Sequence, residues 1–304
     1  MADITIIILT FNEELHISRV LESVRPIARK VIVVDSHSTD RTVEIAQEFG
    51  AQILQHSFVN QARQFQWAVD NARIETAWVM RIDADEYLTD GLIEEIQSRL
   101  STLDSAISGI TLKRRVHFMG KWIRYGGAYP VKLLRIWKNG HAMIEQRWMD
   151  EHMVLIRGEM IEFGNDFIDE NLNNLTWWVN KHNHYATREA VELLNLKYHF
   201  MHQGKSSDIG MFTKQASQKK WVKNNLYSNM PLFVRSFFYF LFRFWLKLGF
   251  LDGRKGLIWH FLQGFWYRFL VDAKIYQIVW LSKKYNKSID TVIKEEFNLH
   301  LDQY

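Results

Sequence analysis

The chain has 304 residues, no cysteine and a formal net charge of +4. This length suffices for one large domain and an appendage. The lack of cysteine excludes a disulfide framework, thiolate zinc sites and cysteine nucleophiles, and it is compatible with a reducing compartment.

The first third of the chain alternates between the patterns of buried strands and amphipathic helices. The predicted strands are residues 4–10, 31–34, 51–54 and 77–82, and the predicted helices are residues 15–24, 42–49, 59–72 and 92–100. The apolar run that opens the chain is too short for a signal peptide, so we expect a cytoplasmic location. Strand–helix alternation with short loops favours a parallel sheet with right-handed crossovers.

Polar residues follow three of these strands at the point where each strand ends. The first strand ends in Thr10-Phe11-Asn12-Glu13, the second in Asp35, and the fourth in Asp83-Ala84-Asp85. Parallel strands bring such ends to one edge of a sheet, where α/β proteins bind their ligands. Asp83 and Asp85 point the same way on an extended chain. Their oxygens suit Mg²⁺ or Mn²⁺, although a lone D-x-D is also typical of a solvated acidic turn.

Three motifs, taken together and in order, resemble the nucleotide-sugar half of inverting family 2 glycosyltransferases with the GT-A fold. They are Thr10-Phe11-Asn12-Glu13, then Val33-Val34-Asp35-Ser36-His37-Ser38-Thr39-Asp40-Arg41-Thr42, then Asp83-Ala84-Asp85-Glu86. The similarity is greatest to bacterial enzymes that add sugars to lipopolysaccharide core or surface polysaccharide. It implies an α/β, Rossmann-like GT-A domain, a UDP-sugar donor and a lipid-linked or lipopolysaccharide acceptor.

The resemblance also implies roles for single residues. Asp35 would hydrogen-bond the uracil or ribose of the donor, and Thr10 and Glu13 would line the nucleoside pocket. Asp83 would face the ribose or sugar, and Asp85, with Asp83, would hold a divalent metal on the diphosphate, where a cation stabilises the leaving group. Arg63, in Arg63-Gln64-Phe65-Gln66, matches a polar helix of this branch, although a plain solvated face explains it equally well.

The second hundred residues carry the candidates for the acceptor side. Residues 107–113 and 131–137 are predicted strands, and the segment 116–127 mixes aromatics, cations and glycines, as expected of a loop at the floor of an acceptor site. Lys132 and Arg135 are candidate phosphate contacts. Residues 138–141 predict a hairpin-like turn, and residues 177–186 predict an amphipathic helix.

An inverting transfer needs a base that takes the proton of the acceptor hydroxyl. The segment Arg147-Trp148-Met149-Asp150-Glu151-His152 resembles the acidic pair of the family, with Glu151 at the base position and Asp150 as the alternative. A carboxylate shielded by a neighbouring Trp has its pKa raised toward a useful range. A solvated acidic turn remains the plain alternative, and His152 is either a surface imidazole or a metal ligand.

The last third of the chain is basic and aromatic. Between Lys197 and Lys287 there are 16 Lys or Arg and 3 Asp, a net of +13 that leaves −9 elsewhere. Residues 232–250 form an apolar run in which the cations Arg235, Arg243 and Lys247 share one third of a helical circumference. If this run spanned a bilayer, each cation at the membrane centre would cost about 2.5–3.5 kcal/mol of insertion free energy. Among anionic headgroups each cation is favourable by about 1 kcal/mol.

We therefore expect a peripheral, interfacial helical hairpin formed by residues 232–250 and 257–281, followed by a soluble helix at 288–301. A hairpin packed on the catalytic core or in a dimer is the alternative. Nucleic acid is not expected as a partner, because no RNA-binding motif is present and the acidic front repels phosphodiesters.

The predicted organisation is a GT-A domain at 1–200, with a nucleotide-sugar half at 1–100 and an acceptor half at 101–200, and a membrane-interfacial region at 201–304. Two rival functions stay open on the sequence. One is a metal-dependent phosphohydrolase that also uses D-x-D, although there the nucleophilic Asp ends the first strand. The other is a membrane-bound scaffold that binds sugar nucleotides without catalysis.

Overall fold

The computed structural model describes residues 2–145, 151–200 and 230–299. The strands are β1 (Ile4–Thr10), β2 (Lys30–Asp35), β3 (Gln52–Gln55), β4 (Trp78–Arg81), β5 (Glu86–Leu88), β6 (Ile107–Phe118), β7 (Lys121–Ile123), β8 (Val131–Lys138), β9 (Ala142–Ile144), β10 (Met153–Leu155) and β11 (Glu159–Glu170). The helices are α1 (Ile17–Val24), α2 (Thr42–Glu48), α3 (Gln61–Asn71), α4 (Asp90–Arg99), α5 (Leu175–Tyr198), α6 (Val234–Leu241), α7 (Gly253–His260), α8 (Tyr267–Tyr285) and α9 (Ile289–Phe297).

The main sheet has the strand order β3-β2-β1-β4-β8-β6-β11-β5, with β7 paired to β6. Strands β3, β2, β1 and β4 are parallel, as the alternating sequence predicts. Strand β8 is antiparallel to both β4 and β6, so β6 runs in the same direction as β4. Strand β11 is parallel to β6, and β5 is antiparallel to β11. The expected parallel sheet is therefore mixed, and six of its strands, β1, β2, β3, β4, β6 and β11, end at one edge.

Two apolar layers cover the sheet because successive side chains of a strand point to opposite faces. Ile6 and Ile8 of β1 pack in one core with α1 and α4, whereas Ile7 packs on the other face with α3. The short β9–β10 ribbon closes that second face through Ile144 and Leu155. Strand β1 is thus buried on both sides, which explains its unbroken β-branched sequence.

The segment 116–127, predicted as a loop, begins as regular structure. Strand β6 continues to Phe118 and turns directly into β7, with Phe118 opposite Lys121. Met119 and Gly120 form the turn with φ of 52° and 71°, the left-handed geometry that two-residue hairpins require. Only the part after β7, residues 124–130, connects to β8 without regular structure.

A separate apolar core joins α5 to the last two helices. Its fully or nearly fully buried members are Ala186, Ala190, Val191, Leu194, Tyr267, Val271, Ile275, Ile278, Leu281, Val292 and Ile293. The core therefore draws residues from both sides of the domain boundary that the sequence predicts at residue 200.

The apolar run 232–250 is folded differently from the expected single helix. Helix α6 passes into a π-helical segment, Phe242–Leu246, and then into a 3₁₀ turn, Gly249–Asp252. Helices α7 and α8 are joined by a second π-helical segment, Phe261–Trp266. We call this pair of helical arms, residues 233–285, the helical hairpin.

The sequence predicts that the cations of the hairpin face anionic headgroups, and for two of the three this prediction is wrong. Arg235 and Arg243 are 3% and 9% exposed, so they lie inside the protein and not among headgroups. Arg235 Nε donates to Asp272 Oδ1 at 2.8 Å, and Arg243 Nε donates to the Gly126 carbonyl at 2.7 Å. A buried guanidinium is tolerated when it has such partners. Lys247 alone of the three predicted cations is exposed.

The opposite face of the hairpin is apolar and exposed. We call it the aromatic ridge; its members are Phe237, Phe238, Phe242, Trp245, Leu246, Leu248, Phe250, Leu251, Leu257, Ile258 and Phe261. Across residues 2–145, 151–200 and 230–299, no helix has the length and apolarity needed to cross a bilayer.

Candidate active site

The carboxyl ends of β1, β2 and β4 meet at one edge of the sheet, as the sequence predicts. Thr10 at the end of β1 lies opposite Asp35 at the end of β2, and the Thr10 hydroxyl donates to Asp35 Oδ1 at 3.1 Å. Strands β6 and β11, which run in the same direction, end at this edge with Phe118 and Glu170. The edge therefore collects residues from both predicted halves of the domain.

Asp35 is fully buried and anchors the loop that follows β2. Its Oδ2 accepts from the Ser38 backbone N–H at 2.9 Å, and its Oδ1 accepts from the Ser38 hydroxyl at 2.5 Å. The loop after β1 is fastened to the same serine, because the Asn12 N–H donates to Ser38 Oγ at 2.9 Å. The two motif loops are therefore one hydrogen-bonded unit. The contact of Asp35 with uracil or ribose stays a prediction.

A second set of hydrogen bonds joins the same loops. The Glu13 N–H donates to Thr42 Oγ1 at 2.7 Å, and the Glu14 N–H donates to Asp40 Oδ2 at 3.1 Å. Burial opposes ionisation of Asp40, but hydrogen bonds from Thr42 and Glu14 lower the pKa of that carboxyl. Asp40 is therefore an ionised acceptor with a structural role. The spacing of Asp35, Asp40 and Thr42 serves to join the two loops, in addition to any role in ligand binding.

The polar helix α3 touches the loop after β2 through Gln64, which belongs to the motif of Arg63 but was given no role of its own. Gln64 is 1% exposed, and its side-chain amide donates to Ser36 Oγ at 3.1 Å and to the His56 carbonyl at 3.0 Å. Arg63, the predicted binding residue, is exposed on the neighbouring position. Its contact with the donor stays a prediction.

Asp83 and Asp85 lie at the same edge but in different electrostatic surroundings. Asp83 accepts from Arg81 Nε at 3.3 Å and lies 3.6 Å from Arg135 Nη2. Although burial alone would raise it, the pKa of Asp83 is lowered to about 2 by Arg81 and Arg135. The charge of Asp83 is thus compensated by the protein itself.

Asp85 faces a neutral partner instead. Its Oδ2 accepts from the side-chain amide of Asn171 at 3.1 Å. Its backbone carbonyl accepts from the Glu170 N–H at 3.0 Å and from Arg19 Nη2 at 3.3 Å. Arg19 also binds Glu170, so it clamps the segment after β4 to the end of β11. The Asp85 carboxylate accepts from a neutral amide, whereas that of Asp83 accepts from a guanidinium, so Asp85 suits a metal cation better than Asp83 does.

Two further residues near Asp85 were missed by sequence reasoning. His16, 1% exposed, has Nδ1 at 2.6 Å from Glu13 Oε2, and its Nε2 accepts from the Leu172 N–H at 2.9 Å. Lys181 of α5 has Nζ 4.6 Å from the centre of the Trp177 ring. Burial opposes its charge, but Tyr185, Asp85 and Glu13 raise the pKa of Lys181. Only the fold brings α5 to Asp85, so no local pattern could have found Lys181.

The predicted phosphate contacts have protein partners. Arg135 is 5% exposed, and its Nη2 lies 2.5 Å from Glu86 Oε1. Lys132 pairs with Glu162 at 2.6 Å on the surface of the sheet. The structure therefore gives Arg135 a place in the buried charge network under Asp83, and phosphate binding by Lys132 or Arg135 stays a prediction.

The predicted base lies at the end of the β9–β10 ribbon. Glu151 lies two residues before β10, and the ribbon is closed there by the Glu145 N–H, which donates to the His152 carbonyl at 2.9 Å. His152 Nδ1 lies 4.0 Å from Glu145 Oε2. Asp150 falls outside the described residues. That Glu151 lies close enough to the donor site to act as the base stays a prediction.

The described part of the chain holds no group of three or more His, Asp or Glu side chains arranged to bind a metal. The carboxylate of Asp85, which accepts from the neutral amide of Asn171, fits a single protein ligand of the kind that Mg²⁺ uses when phosphate oxygens complete the shell. Asp83 fits less well, because Arg81 and Arg135 already occupy its surroundings.

An open α/β sheet with cross-bonded polar loops at the carboxyl ends of its parallel strands defines a ligand-binding α/β protein. The model of Glycosyl transferase family 2 matches residues 5–158, just over half of the chain. The chain therefore belongs to glycosyl transferase family 2 and is a glycosyltransferase with an α/β, GT-A fold. The phosphohydrolase and the non-catalytic scaffold are set aside.

Several curated proteins are similar to the chain. An uncharacterized glycosyltransferase of Rickettsia typhi is 26% identical over 91% of this chain and 88% of its own length. Another, of Rickettsia prowazekii, is 40% identical over 32% of each chain. The lipopolysaccharide core biosynthesis glycosyltransferase LpsC of Rhizobium meliloti is 29% identical over 37% of this chain and 42% of its own. This chain thus spans less than half of the latter two proteins.

Among solved structures, glucosyl-3-phosphoglycerate synthase of Mycobacterium tuberculosis, in complex with Mn²⁺, UDP and glucosyl-3-phosphoglycerate, is 21% identical. The superposition covers 38% of this chain and 44% of that one, with a TM-score of 0.31.

Proposed function

We propose that this glycosyltransferase moves a sugar from a UDP-sugar to a hydroxyl of a lipid-linked glycan or lipopolysaccharide, with inversion at the anomeric carbon. The observation that carries the proposal is the single hydrogen-bonded unit formed by the motif loops, with Asp35 at its base and Asp85 beside it at the same edge. Similarity to LpsC, whose name refers to lipopolysaccharide core biosynthesis, supports the acceptor class.

The donor nucleoside would lie over the loops that follow β1 and β2. Thr10, Glu13 and Asp35 line this region, and Arg63 stands on the adjoining helix. A buried carboxylate whose loop is pre-organised loses little conformational entropy when a uracil or ribose group binds. The pre-organisation comes from Ser38, which bonds both loops.

Asp85 would hold a Mg²⁺ or Mn²⁺ ion together with the donor diphosphate, and Asp83 would support it from the network of Arg81 and Arg135. Such a cation stabilises negative charge on a departing diphosphate. Lys181 adds a positive charge from the chain's own residues on the same side. Asn171 fixes the rotamer of Asp85 by its hydrogen bond.

Glu151 would take the proton from the acceptor hydroxyl, with Asp150 as the alternative base and His152 as a neighbour that orients the segment or touches the metal. Single displacement requires the hydroxyl oxygen to attack the anomeric carbon from the face opposite the leaving UDP. The proton then passes to the carboxylate in the same step.

The enzyme would work as a peripheral protein at the cytoplasmic face of the inner membrane. The aromatic ridge offers exposed apolar side chains, of which Trp245 and Leu246 are 57% and 76% exposed. Exposed Lys247, Arg254 and Lys255 stand beside it. Aromatic and aliphatic side chains rimmed by cations suit the boundary between acyl chains and anionic headgroups.

Thermal unfolding in the presence of UDP-Glc, UDP-Gal, UDP-GlcNAc and GDP-Man, each with and without Mn²⁺, tests the donor assignment. We expect a UDP-specific, metal-dependent rise in Tm that Asp85→Asn abolishes. Asp70→Asn, an exposed carboxylate on α3, is the matched control and should leave the rise intact. A preference for the GDP-sugar would contradict the role given to Asp35.

The base assignment has its own test. Glu151→Gln should keep the metal-dependent rise in Tm but slow UDP release with acceptor-bearing membranes by about 10²–10⁴-fold, because general base catalysis contributes that much. Turnover at the wild-type rate would move the role to Asp150 or to another residue.

A further inference from the structure

The connection between β6 and β8, residues 119–130, lies at the same edge of the sheet as the candidate active site. Strand β6 ends there with Phe118, and β8 begins there with Val131. Beside it, His117 Nδ1 of β6 lies 3.8 Å from Glu170 Oε1, and Glu170 donates its N–H to the carbonyl of Asp85. We call residues 124–127 of this connection the acceptor loop, because they belong to the segment 116–127 that is predicted to form the floor of an acceptor site.

The helical hairpin holds the backbone of the acceptor loop at three consecutive residues. The carboxylate of Asp252 accepts from the backbone N–H groups of Arg124 and Tyr125, each at 3.0 Å. The Gly126 N–H donates to the Lys247 carbonyl at 2.8 Å, and the Gly126 carbonyl accepts from Arg243 Nε at 2.7 Å. Backbone groups that a sheet leaves unpaired are thus satisfied by the hairpin.

The contact is tightly packed as well as hydrogen-bonded. Asp252 is 2% exposed, and its Oδ2 lies 3.1 Å from Nε2 of the fully buried His260. Gly126 has φ of 65°, and a Cβ there would lie 2.1 Å from Cε1 of His260. Glycine is therefore required at this position, both for the backbone angle and for the closeness of the imidazole.

Two lysines fasten the adjoining β6–β7 turn to the same part of the hairpin. Lys121 Nζ donates to the Asp252 carbonyl, and Lys255 Nζ donates to the Met119 carbonyl at 2.6 Å. The turn and the acceptor loop are therefore both tied to residues 247–255, which adjoin the aromatic ridge. A shift of this end of the hairpin cannot leave the loop in place without breaking charge-assisted hydrogen bonds, which are stronger than neutral ones.

The side chains of this connection have the chemistry of a glycan or phosphate contact. The guanidinium of Arg124 lies 5.3 Å from the centre of the Trp122 ring, and Trp122 meets the Tyr129 ring edge-on at 5.1 Å. The Tyr129 hydroxyl donates to Asp166 Oδ1 at 3.0 Å, which fixes this stack to β11. The position of the backbone at 124–126 decides where these aromatic and cationic groups stand.

We propose that Asp252 is a positioning residue that couples the membrane-facing hairpin to the acceptor loop, so that seating the aromatic ridge in a bilayer orders the loop that receives the acceptor. The membrane part of this inference rests on the proposed function. The coupling itself rests on the hydrogen bonds of Asp252, Lys247 and Arg243 with residues 124–126. Because the connection that contains this loop lies at the same edge of the sheet as Asp85, an enzyme seated on a membrane would present its donor site to acceptors held in the same membrane.

Amide hydrogen exchange of the full chain tests the coupling, with and without vesicles of phosphatidylethanolamine and phosphatidylglycerol. In Asp252→Asn, the amides of residues 124–126 should exchange about tenfold faster, because an ionised acceptor is lost. Exchange in β1, β2 and β4 should not change. Vesicles should slow exchange of the acceptor loop in the wild type but not in Asp252→Asn.

Lys255→Ala, at an exposed position, is a second variant that removes one tie without threatening the buried core; it should weaken the vesicle effect on residues 119–126. Lys294→Ala, which removes an exposed lysine from α9, a helix that contributes no residue to the aromatic ridge, is the matched control and should behave like the wild type. Unchanged exchange of residues 124–126 in Asp252→Asn would overturn the coupling. So would vesicle protection that is confined to the hairpin of the wild type.

The same experiment separates this inference from the proposed function. If vesicles do not bind, the membrane assignment fails, while the effect of Asp252→Asn on the loop in solution still decides whether the hairpin positions it. The rise in Tm with UDP-Glc and Mn²⁺ should be equal in the wild type and in Asp252→Asn, since the donor loops do not touch Asp252. A loss of that rise in Asp252→Asn would assign the residue a general structural role and overturn the coupling.

Discussion

Asp83 and Asp85 are separated by one residue, but their carboxylates have different hydrogen-bond partners. Asp83 binds Arg81 and lies close to Arg135, whereas Asp85 accepts from the neutral amide of Asn171. Equal treatment of the two acids, which the D-x-D pattern suggests, is therefore physically unwarranted. Substituting each in turn should separate stability from ligand binding.

We expect Asp83→Asn to lower the free energy of unfolding by about 1–3 kcal/mol, because two largely buried guanidinium groups lose a charged acceptor. Asp85→Asn should change stability little, since an amide can still face Asn171, and should lose the metal-dependent rise in Tm. Urea unfolding and thermal shift with UDP and Mn²⁺ measure the two effects. Identical behaviour of the two variants would contradict this division of roles.

His182 gives the fold a dependence on pH. Its ring stacks on Trp178 with centroids 3.5 Å apart, and its Nδ1–H donates to the Trp178 carbonyl at 2.9 Å. Burial lowers the pKa of His182 from 6.5 to about 4. The unfolded chain therefore binds more protons between these values, so the stabilising contribution is complete above pH 6.5 and is lost as the pH falls toward 4.

We expect His182→Phe, which keeps an aromatic ring on Trp178, to reduce the loss of stability between pH 7 and pH 4.5. His184→Phe, at an exposed position on the same helix, is the control. Between pH 7 and pH 4.5 its free energy of unfolding should fall by as much as that of the wild type. Urea unfolding at both pH values measures the difference. An unchanged pH response in His182→Phe would show that other groups dominate the acid side.

At the scale of elements, the strands and helices of the first half follow from the sequence, and their polar ends meet as predicted. Two features could not be foreseen. Strand β8 inserts antiparallel between β4 and β6, and its Arg135 reaches Glu86 across the sheet, a pairing that no local spacing encodes. Ser38 and Gln64 belong to the motifs, but their hydrogen bonds require the folded geometry. Ser38 bonds Asp35 and Asn12, and Gln64 of α3 bonds Ser36.

Helix α6 shows why the direction of an amphipathic face escapes sequence analysis. Helical periodicity correctly places Arg235, Ser236 and Arg243 on one face. It does not say whether that face turns to solvent or to the protein, because a guanidinium is stable in either place when it has an acceptor. Asp272 and the Gly126 carbonyl, distant in sequence, supply the acceptors here.

The buried pair of Arg235 and Asp272 should hold the two arms of the hairpin together. Asp272→Ala is expected to lower the free energy of unfolding by about 3–5 kcal/mol, because it leaves a buried guanidinium without its counter-ion. Arg235→Met combined with Asp272→Leu should recover most of this loss. Denaturant unfolding of the single and double variants provides the comparison, and equal instability of both would argue against a charge-pair origin.

At the scale of the whole molecule, an inward-facing set of arginines and an outward-facing aromatic ridge change the expected mode of membrane attachment. We expect apolar insertion, and not attraction between charges, to make the main contribution to the proposed membrane attachment. Electrostatic attachment weakens steeply with salt because the Debye length falls from about 10 Å at 0.1 M to about 3 Å at 1 M. Attachment by apolar insertion does not weaken with salt in this way.

We expect Trp245→Ala combined with Leu246→Ala to reduce partitioning into anionic vesicles by at least about tenfold, given the apolar area that these side chains expose. Lys247→Ala, the adjacent control, should reduce it only a few-fold. Co-sedimentation at low and high salt measures both. A dominant effect of Lys247, or complete release by salt, would restore electrostatic attachment as the main force.

The long helix α5 connects the candidate active site to the C-terminal helices. Asn171, just before the helix, binds Asp85, and the C-terminal half of α5 packs in one core with α8 and α9. A truncated enzyme ending near residue 200, the obvious way to obtain an easily handled catalytic fragment, would strip the cover from Ala190, Val191 and Leu194. We expect such a fragment to aggregate in solution. Purification of the intact chain in detergent is therefore preferable to truncation.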